Sequence, residues 1–386
     1  MSVKRIIIVN DGLDPNMGDQ AILRSMLALI QSELPEVRIR IFPNSGMRSL
    51  RQYAKYRRAL RQADLLVFGG GQEIQDHASV AFLISGLIKI ALAGMAQVPV
   101  FCYAIGVGPL RSRLGRRLTA FVLNRVKALS VRDDISRKIL LGIGVTRPAI
   151  EVTADPAVTL QPKSPHPATP VEGPVPTWVG PHIVIAPRRW FHYGHYLLPM
   201  EFRAKLLSPA GQAAFDRLMG ELARAADALV RRLDAHISFC PMRCAHGRHN
   251  PGQDDDQVCL DIMSMMAEKA HAGMLPGATS PNALKWQLGN VDLVIGMRMH
   301  ALILASMMGV PVVSIGILPK HEAFMRQIDQ ASFTIAPERL MSKTVVALAT
   351  EALRRHAEIG IRLKEARGRL QALARSDVNR LGSLLR

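Results

Sequence analysis

Through the first 160 residues, short apolar runs rich in β-branched side chains alternate with longer stretches whose apolar positions recur at helical spacing. The short runs are KRIIIVN (4–10), VRIRIF (37–42), DLLVFG (64–69), VPVFCYAIG (98–106), ALSVR (128–132) and AIEVT (149–153). The longer patterns cover 18–34, 50–62, 76–96, 111–126 and 133–142. Apolar strands separated by whole helices predict βαβ units and a parallel sheet covered on both faces.

The pattern breaks at QPKSPHPATPVEGPVPTWVGP (161–181), where seven prolines exclude a regular element. It then resumes, with strands at 182–187, 236–241 and 270–274 and helices at 209–233, 254–268 and 280–289. The expected fold is α/β, with two Rossmann-like domains facing each other across a cleft. The expected boundaries are 1–160 and 182–337, joined by the proline-rich linker, with basic helices over 338–386 packing back across both. A length of 386 residues fits two domains, because a single core stops growing at roughly 250–300.

The N-terminus has only about five apolar residues in succession, too few for a signal peptide, and reads as a strand. VAFLISGLIKIALAGMA (80–96) is interrupted by Lys89 and falls short of the ~20 residues of a membrane span. A buried helix is expected there, with a helix lying on a membrane as the alternative. Four cysteines in such a chain suggest a reducing compartment, and a cytoplasmic location is expected.

The formal charge of +18 changes this picture, because it is concentrated. Residues 48–61 and 111–127 each carry six Lys or Arg and no acid, a field that attracts an anionic membrane surface or another polyanion. Peripheral association with the inner membrane face is the corresponding expectation. Aromatics make up 5% of the chain and no nucleic-acid motif is present, so no nucleic-acid partner is expected.

Candidate chemistry gathers in VDLVIGMRMHALILASMMGVPVVSI (291–315), which reads as strand, helix, strand. Gly296, Met297, Arg298 and Met299 form the turn at the carboxyl end of the first strand, the edge at which open α/β sheets bind ligands. A helix starting at Met299 or His300 turns its amides and positive dipole end toward that edge, which suits an anion. Arg298 adds a planar fork for a carboxylate or phosphate, and His300 a proton donor or second cation.

GMRMHALILASMMGVPVV resembles the Gly-x-Arg-x-His-Ala segment of the polysaccharide pyruvyl transferase family, whose fold is similar to the two-domain GT-B glycosyltransferases. NMGDQAIL (16–23), VFGGGQEIQD (67–76), SVRDDIS (130–136), VTADPAV (152–158) and APRRW (186–190) agree in order and spacing. The resemblance implies transfer of the enolpyruvyl group of phosphoenolpyruvate to a sugar of a polysaccharide or lipid-linked precursor, giving a pyruvate ketal and phosphate. It implies that Gly296, Arg298, Met299 and His300 hold the donor, with Arg188 or Arg189 from the facing loop. No cofactor beyond this co-substrate is expected.

For the acceptor, the resemblance favours Asn16, Gly18 and Asp19, where a carboxylate at a helix start suits sugar hydroxyls or an N-cap better than phosphate. Gly70 and Gly71 lie in a loop where backbone can approach a ligand, and Asp76 and His77 begin the next helix. Asp155 sits at a strand end facing the cleft, or simply forms a turn with Pro156. His192 and His195 lie in the loop WFHYGHYLL (190–198), suited to sugar stacking or proton transfer. His300 or His195 is the expected general acid, with Arg298 stabilising the departing phosphate.

Cys240, Cys244, His246 and His249 are four soft ligands within ten residues, but their spacing is not a common zinc pattern. No metal is expected; this loop should line the cleft, with Asp254 to Asp256 capping the following helix. Two other functions stay open: a GT-B glycosyltransferase using a nucleotide sugar, and a non-enzymatic polyanion-binding protein. The first calls for an acidic pair near 278–300, where only Asp292 occurs.

Overall fold

A computed structural model describes residues 3–45, 49–77, 79–164, 179–190, 208–244 and 254–386. Its N-terminal half holds strands β1 (Arg5–Val9), β2 (Arg38–Phe42), β3 (Leu65–Gly69), β4 (Val100–Ile105), β5 (Ala128–Val131) and β6 (Ile150–Val152). These pair in parallel in the order β2-β1-β3-β4-β5-β6. β3 and β4 are buried at every position, because helices cover both faces, whereas the edge strand β2 alternates.

The connecting helices are α1 (Met17–Glu33), α2 (Leu50–Leu60), α3 (Val80–Met95), α4 (Arg113–Leu123) and α5 (Asp134–Gly142). Ser49, Ser79, Ser112 and Asp133 start α2 to α5, each accepting a hydrogen bond from an amide of the first turn. The apolar sides of α2, α3 and α4 form one core against the sheet. On the opposite face, α1 joins a larger core continuous with the second half of the chain.

The second sheet contains β7 (His182–Ala186), β8 (His236–Phe239), β9 (Ala272–Met274), β10 (Leu293–Gly296), β11 (Val312–Ile315) and β12 (Thr334–Ile335). Its order is β12-β11-β10-β7-β8-β9, all parallel. Helices α6 (Pro209–Leu233), α7 (Asp255–Met265), α8 (Pro281–Leu288), α9 (Met299–Ser306), α10 (Pro319–Gln327) and α11 (Ser342–Arg354) accompany it. Counted from its own first strand, this is the 3-2-1-4-5-6 order of the dinucleotide-binding fold, with its switch point between β7 and β10.

The terminal helix α12 (His356–Leu385) returns to the first half, packing on α1 and on the short helix Pro156–Thr159. Gln371 donates to the Val158 carbonyl, and Arg380 pairs with Glu151. Among the described residues, no helix is long and apolar enough to cross a membrane.

Candidate active site

Chain direction places one wall of a cleft at the carboxyl ends of β1 and β3. Beyond β1, Asn10 donates to the Gly69 carbonyl (2.7 Å) and accepts from the Gly12 amide (2.7 Å), tying the two strand ends together. This leaves Asp11 and Asp14 on the wall, joined by Asp19 from α1 and Glu73 from the loop after β3. Asp11 accepts from the Ser45 amide and hydroxyl (2.6 and 2.8 Å), yet burial outweighs these bonds and raises its pKa. Burial likewise raises Asp19, against the pull of His300 and Lys320.

Glu73 is driven furthest. Burial, reinforced by the charges of Asp11 and Asp19, lifts its carboxyl well above the usual range, against the hydrogen bond from Asn44 (2.5 Å) and the charge of Lys89. A carboxyl so placed favours its protonated form, the form that can donate a proton.

The facing wall is cationic and stands at the second sheet's switch point. Arg188 follows β7, while Arg298, Met299 and His300 follow β10; Arg243, Lys320 and, from the first half, Arg132 complete it. Arg298 caps α9 without a side-chain bond to its first amides. Its guanidinium grips Asp255 through Nε (2.7 Å) and Nη2 (2.5 Å). Asp255 is fully buried and also accepts from the Met242 and Arg243 amides (3.2 and 3.0 Å). The pair fixes the plane of the Arg298 fork at the cleft.

His300 Nε2 lies 3.6 Å from Asp155 Oδ2, whose carboxylate pairs with Arg132 Nη1 at 2.7 Å. Burial pushes Asp155 up, but His300, Arg132 and the Ala157 amide overcome it and hold the group at about 2. The other side of the imidazole presses on α1, where a Cβ on Gly18 would overlap the ring. Burial lowers Lys320 to about 7, helped by the charges of Arg132, Arg188 and Arg298 and opposed by Asp19. Met17 donates its amide to the Met242 carbonyl (2.9 Å), and Arg243 pairs with Asp14 (3.0 Å), so the two walls are joined directly. Between them lies a cavity of about 280 Å³.

The model of the family described as polysaccharide pyruvyl transferase matches residues 16–318. The chain belongs to this family. A curated relative, the amylovoran biosynthesis protein AmsJ of Erwinia amylovora, is 21% identical over 301 residues, covering 78% of this chain and 68% of AmsJ. Among solved structures, a Listeria monocytogenes protein described as a UDP-N-acetylglucosamine 2-epimerase superposes with a TM-score of 0.60 at 13% identity, over 99% of this chain and 95% of its own. S. aureus MnaA, solved with UDP, gives 0.59 at 11% identity, over 97% and 94%. These likenesses establish the two-domain GT-B-like α/β fold.

Of the residues singled out in the sequence, Asn16, Asp19, His77, Arg188, Arg298, Met299 and His300 line this one cavity. Others stand elsewhere, for physical reasons. Gly70, at φ +92°, meets Met26 and Ile22 of α1, and Gly71 lies against Glu73, so this glycine turn packs on protein and hands the wall to Gln72, Glu73 and Gln75. Asp76 does not begin a helix: its carboxylate accepts the Arg111 and Ser112 amides, and α3 starts at Val80. Arg189 turns away to lie over the Phe215 ring, 5.4 Å from its centre. Gly296 ends β10 against Leu302.

Asp155 caps the short helix Pro156–Thr159 and stands behind His300 rather than on the wall. Asp254 makes no side-chain cap, and Asp255 points inward to Arg298. His192, His195, His246 and His249 lie outside the described residues. Among the described residues no cluster of three or more His, Cys, Asp or Glu is arranged for a metal.

Sequence reasoning missed Asp11, Glu73, Arg132, Arg243, Asp255 and Lys320. Glu73 and Arg132 sat inside quoted motifs, and Lys320 follows the carboxyl end of β11, so the strand-end rule could have found all three.

Proposed function

We propose that this protein transfers the enolpyruvyl group of phosphoenolpyruvate to a sugar carrying two suitably placed hydroxyls, forming a pyruvate ketal and releasing phosphate. The observation that carries this reading is the polarity of the cavity. Arginines, His300 and Lys320 line one wall, matching a small donor with a phosphate and a carboxylate, while carboxyls on the other suit an acceptor's hydroxyls.

In this scheme an acid protonates the methylene carbon as one sugar hydroxyl attacks the central carbon. The second hydroxyl then displaces phosphate from that carbon and closes the ketal. One hydroxyl proton replaces the one delivered to the methylene carbon, and the other leaves with phosphate. Arg298, Arg188 and Lys320 hold the anionic groups and take up the leaving charge. Among the described residues, Glu73, whose carboxyl is pushed well above the usual range, and His300, beside Asp155, are the proton donors this scheme uses.

Membership in the family and the likeness to AmsJ support a role in polysaccharide biosynthesis. The test is phosphate release from phosphoenolpyruvate by the purified protein, with and without glycan fractions from the source cells. Glycan-dependent release, with the pyruvyl group found on the glycan, is expected. Release from no glycan fraction, alongside turnover of a nucleotide sugar, would overturn the reading in favour of a glycosyltransferase.

A further inference from the structure

The outer face of the first half carries a second feature, remote in chemistry from the cleft. Helices α2, α3 and α4 lie side by side on the sheet, and none contains an Asp or Glu. Arg51, Lys55, Arg57, Arg58 and Arg61 are exposed along α2, and Arg113, Arg116 and Arg117 along α4. No ion pair among the described residues involves any of these eight.

Between the two basic helices, α3 turns an unusual stripe outward. Ala81, Ile84, Ile88, Ala91 and Met95 recur at helical spacing on its exposed side, with no polar residue among them. Ile88 is 42% exposed and Met95 79%. Lys89 does not interrupt the stripe, because it is buried and donates to the Asn44 carbonyl (2.8 Å) and Ser85 Oγ (2.9 Å). On α4, Leu114 and Phe121, seven residues apart and so on one side, are 57% and 58% exposed. A helix that faces only water carries polar residues there.

We propose that this face docks on an anionic lipid surface, with the apolar stripe entering the headgroup layer and the flanking arginines contacting lipid phosphates. A cavity of about 210 Å³ lined by Arg57, Arg61, Leu60, Leu92, Met95 and Ala96 offers one headgroup phosphate two guanidiniums and an apolar wall. The combination separates a membrane from a nucleic acid, which would use the cations but gain nothing from exposed Ile88, Met95 and Leu114. Phe82, in the first turn of α3, lines the cleft, so a membrane on this face would lie at the cleft's margin.

The test is flotation of the full-length protein with vesicles of phosphatidylcholine containing phosphatidylglycerol, against phosphatidylcholine alone. Wild type should float with the anionic vesicles only. The variants Arg57→Gln/Arg58→Gln/Arg61→Gln and Ile88→Gln/Met95→Gln should each weaken binding at least tenfold at unchanged melting temperature. Failure of the wild type to float overturns the proposal. So does undiminished flotation of the Ile88→Gln/Met95→Gln variant, since that would reduce the face to charge alone. Flotation reads no turnover, so its failure and failure of the pyruvyl-transfer reading are distinguishable.

Discussion

The grip of Arg298 on Asp255 changes what a substitution at Arg298 reports. Alanine there would remove a cation from the cleft and also strand a carboxylate that is fully buried. Breaking a buried pair from one side costs about 3–5 kcal/mol, so urea denaturation of Arg298→Ala should show a loss of that order. Arg298→Lys keeps the charge but cannot make the two-pronged contact, and should raise the KM for phosphoenolpyruvate with less loss of stability. Lys320 makes a prediction about pH. Its pKa of about 7 means that the ammonium is lost as pH rises through neutrality in the free protein. A bound phosphate would raise that value and require proton uptake, so affinity for the donor should fall above about pH 7. Lys320→Arg, charged throughout, should flatten that limb in kcat/KM profiles; a limb that persists in the variant would place its origin elsewhere.

At the scale of elements, α12 holds a carboxyl that works against the fold at high pH. Asp377 is buried against the first sheet, and burial, only partly offset by the Ser130 and Thr153 hydroxyls, raises it to about 7. The fold keeps this proton where the unfolded chain has lost it, between about pH 4 and pH 7. Its contribution to stability is therefore full below pH 4 and declines as pH rises to about 7. Asp377→Asn should stabilise the protein by up to about 4 kcal/mol near pH 8 and far less near pH 5, as read by urea denaturation. Elements of this kind were legible in the sequence where the apolar period was clean: β7 to β11 fell on the expected runs, whereas the two-residue β12 was not expected and α3 starts at Val80, after its Ser79 cap, rather than at residue 76. The strand-end turn carrying Arg298 and His300 was legible for the same reason. What stayed hidden depends on partners distant in sequence. Asp255 reads as one of three capping aspartates until Arg298, 43 residues away, is beside it. Glu73 reads as an ordinary loop acid until Asp11, Asp19 and Asn44 surround it. Lys89 read as a blemish in an apolar helix, because only the packed sheet shows that it points inward.

On the scale of the whole molecule, the two sheets bring opposite chemistries to a single opening. The first sheet's strand ends carry carboxyls, the second's switch point carries guanidiniums, and α12 ties the end of the chain back to the first half. The charge of +18 is likewise not spread evenly: helices free of acid gather on one outer face, apart from the carboxyls of the cleft. The central claim is that the cationic wall seats phosphoenolpyruvate. Calorimetric titration of phosphoenolpyruvate into the wild type, Arg298→Lys and Lys320→Gln near pH 6.5 tests it most directly. The account predicts binding to the wild type that weakens at least tenfold in each variant; no binding to the wild type, or binding unchanged in both variants, would contradict it.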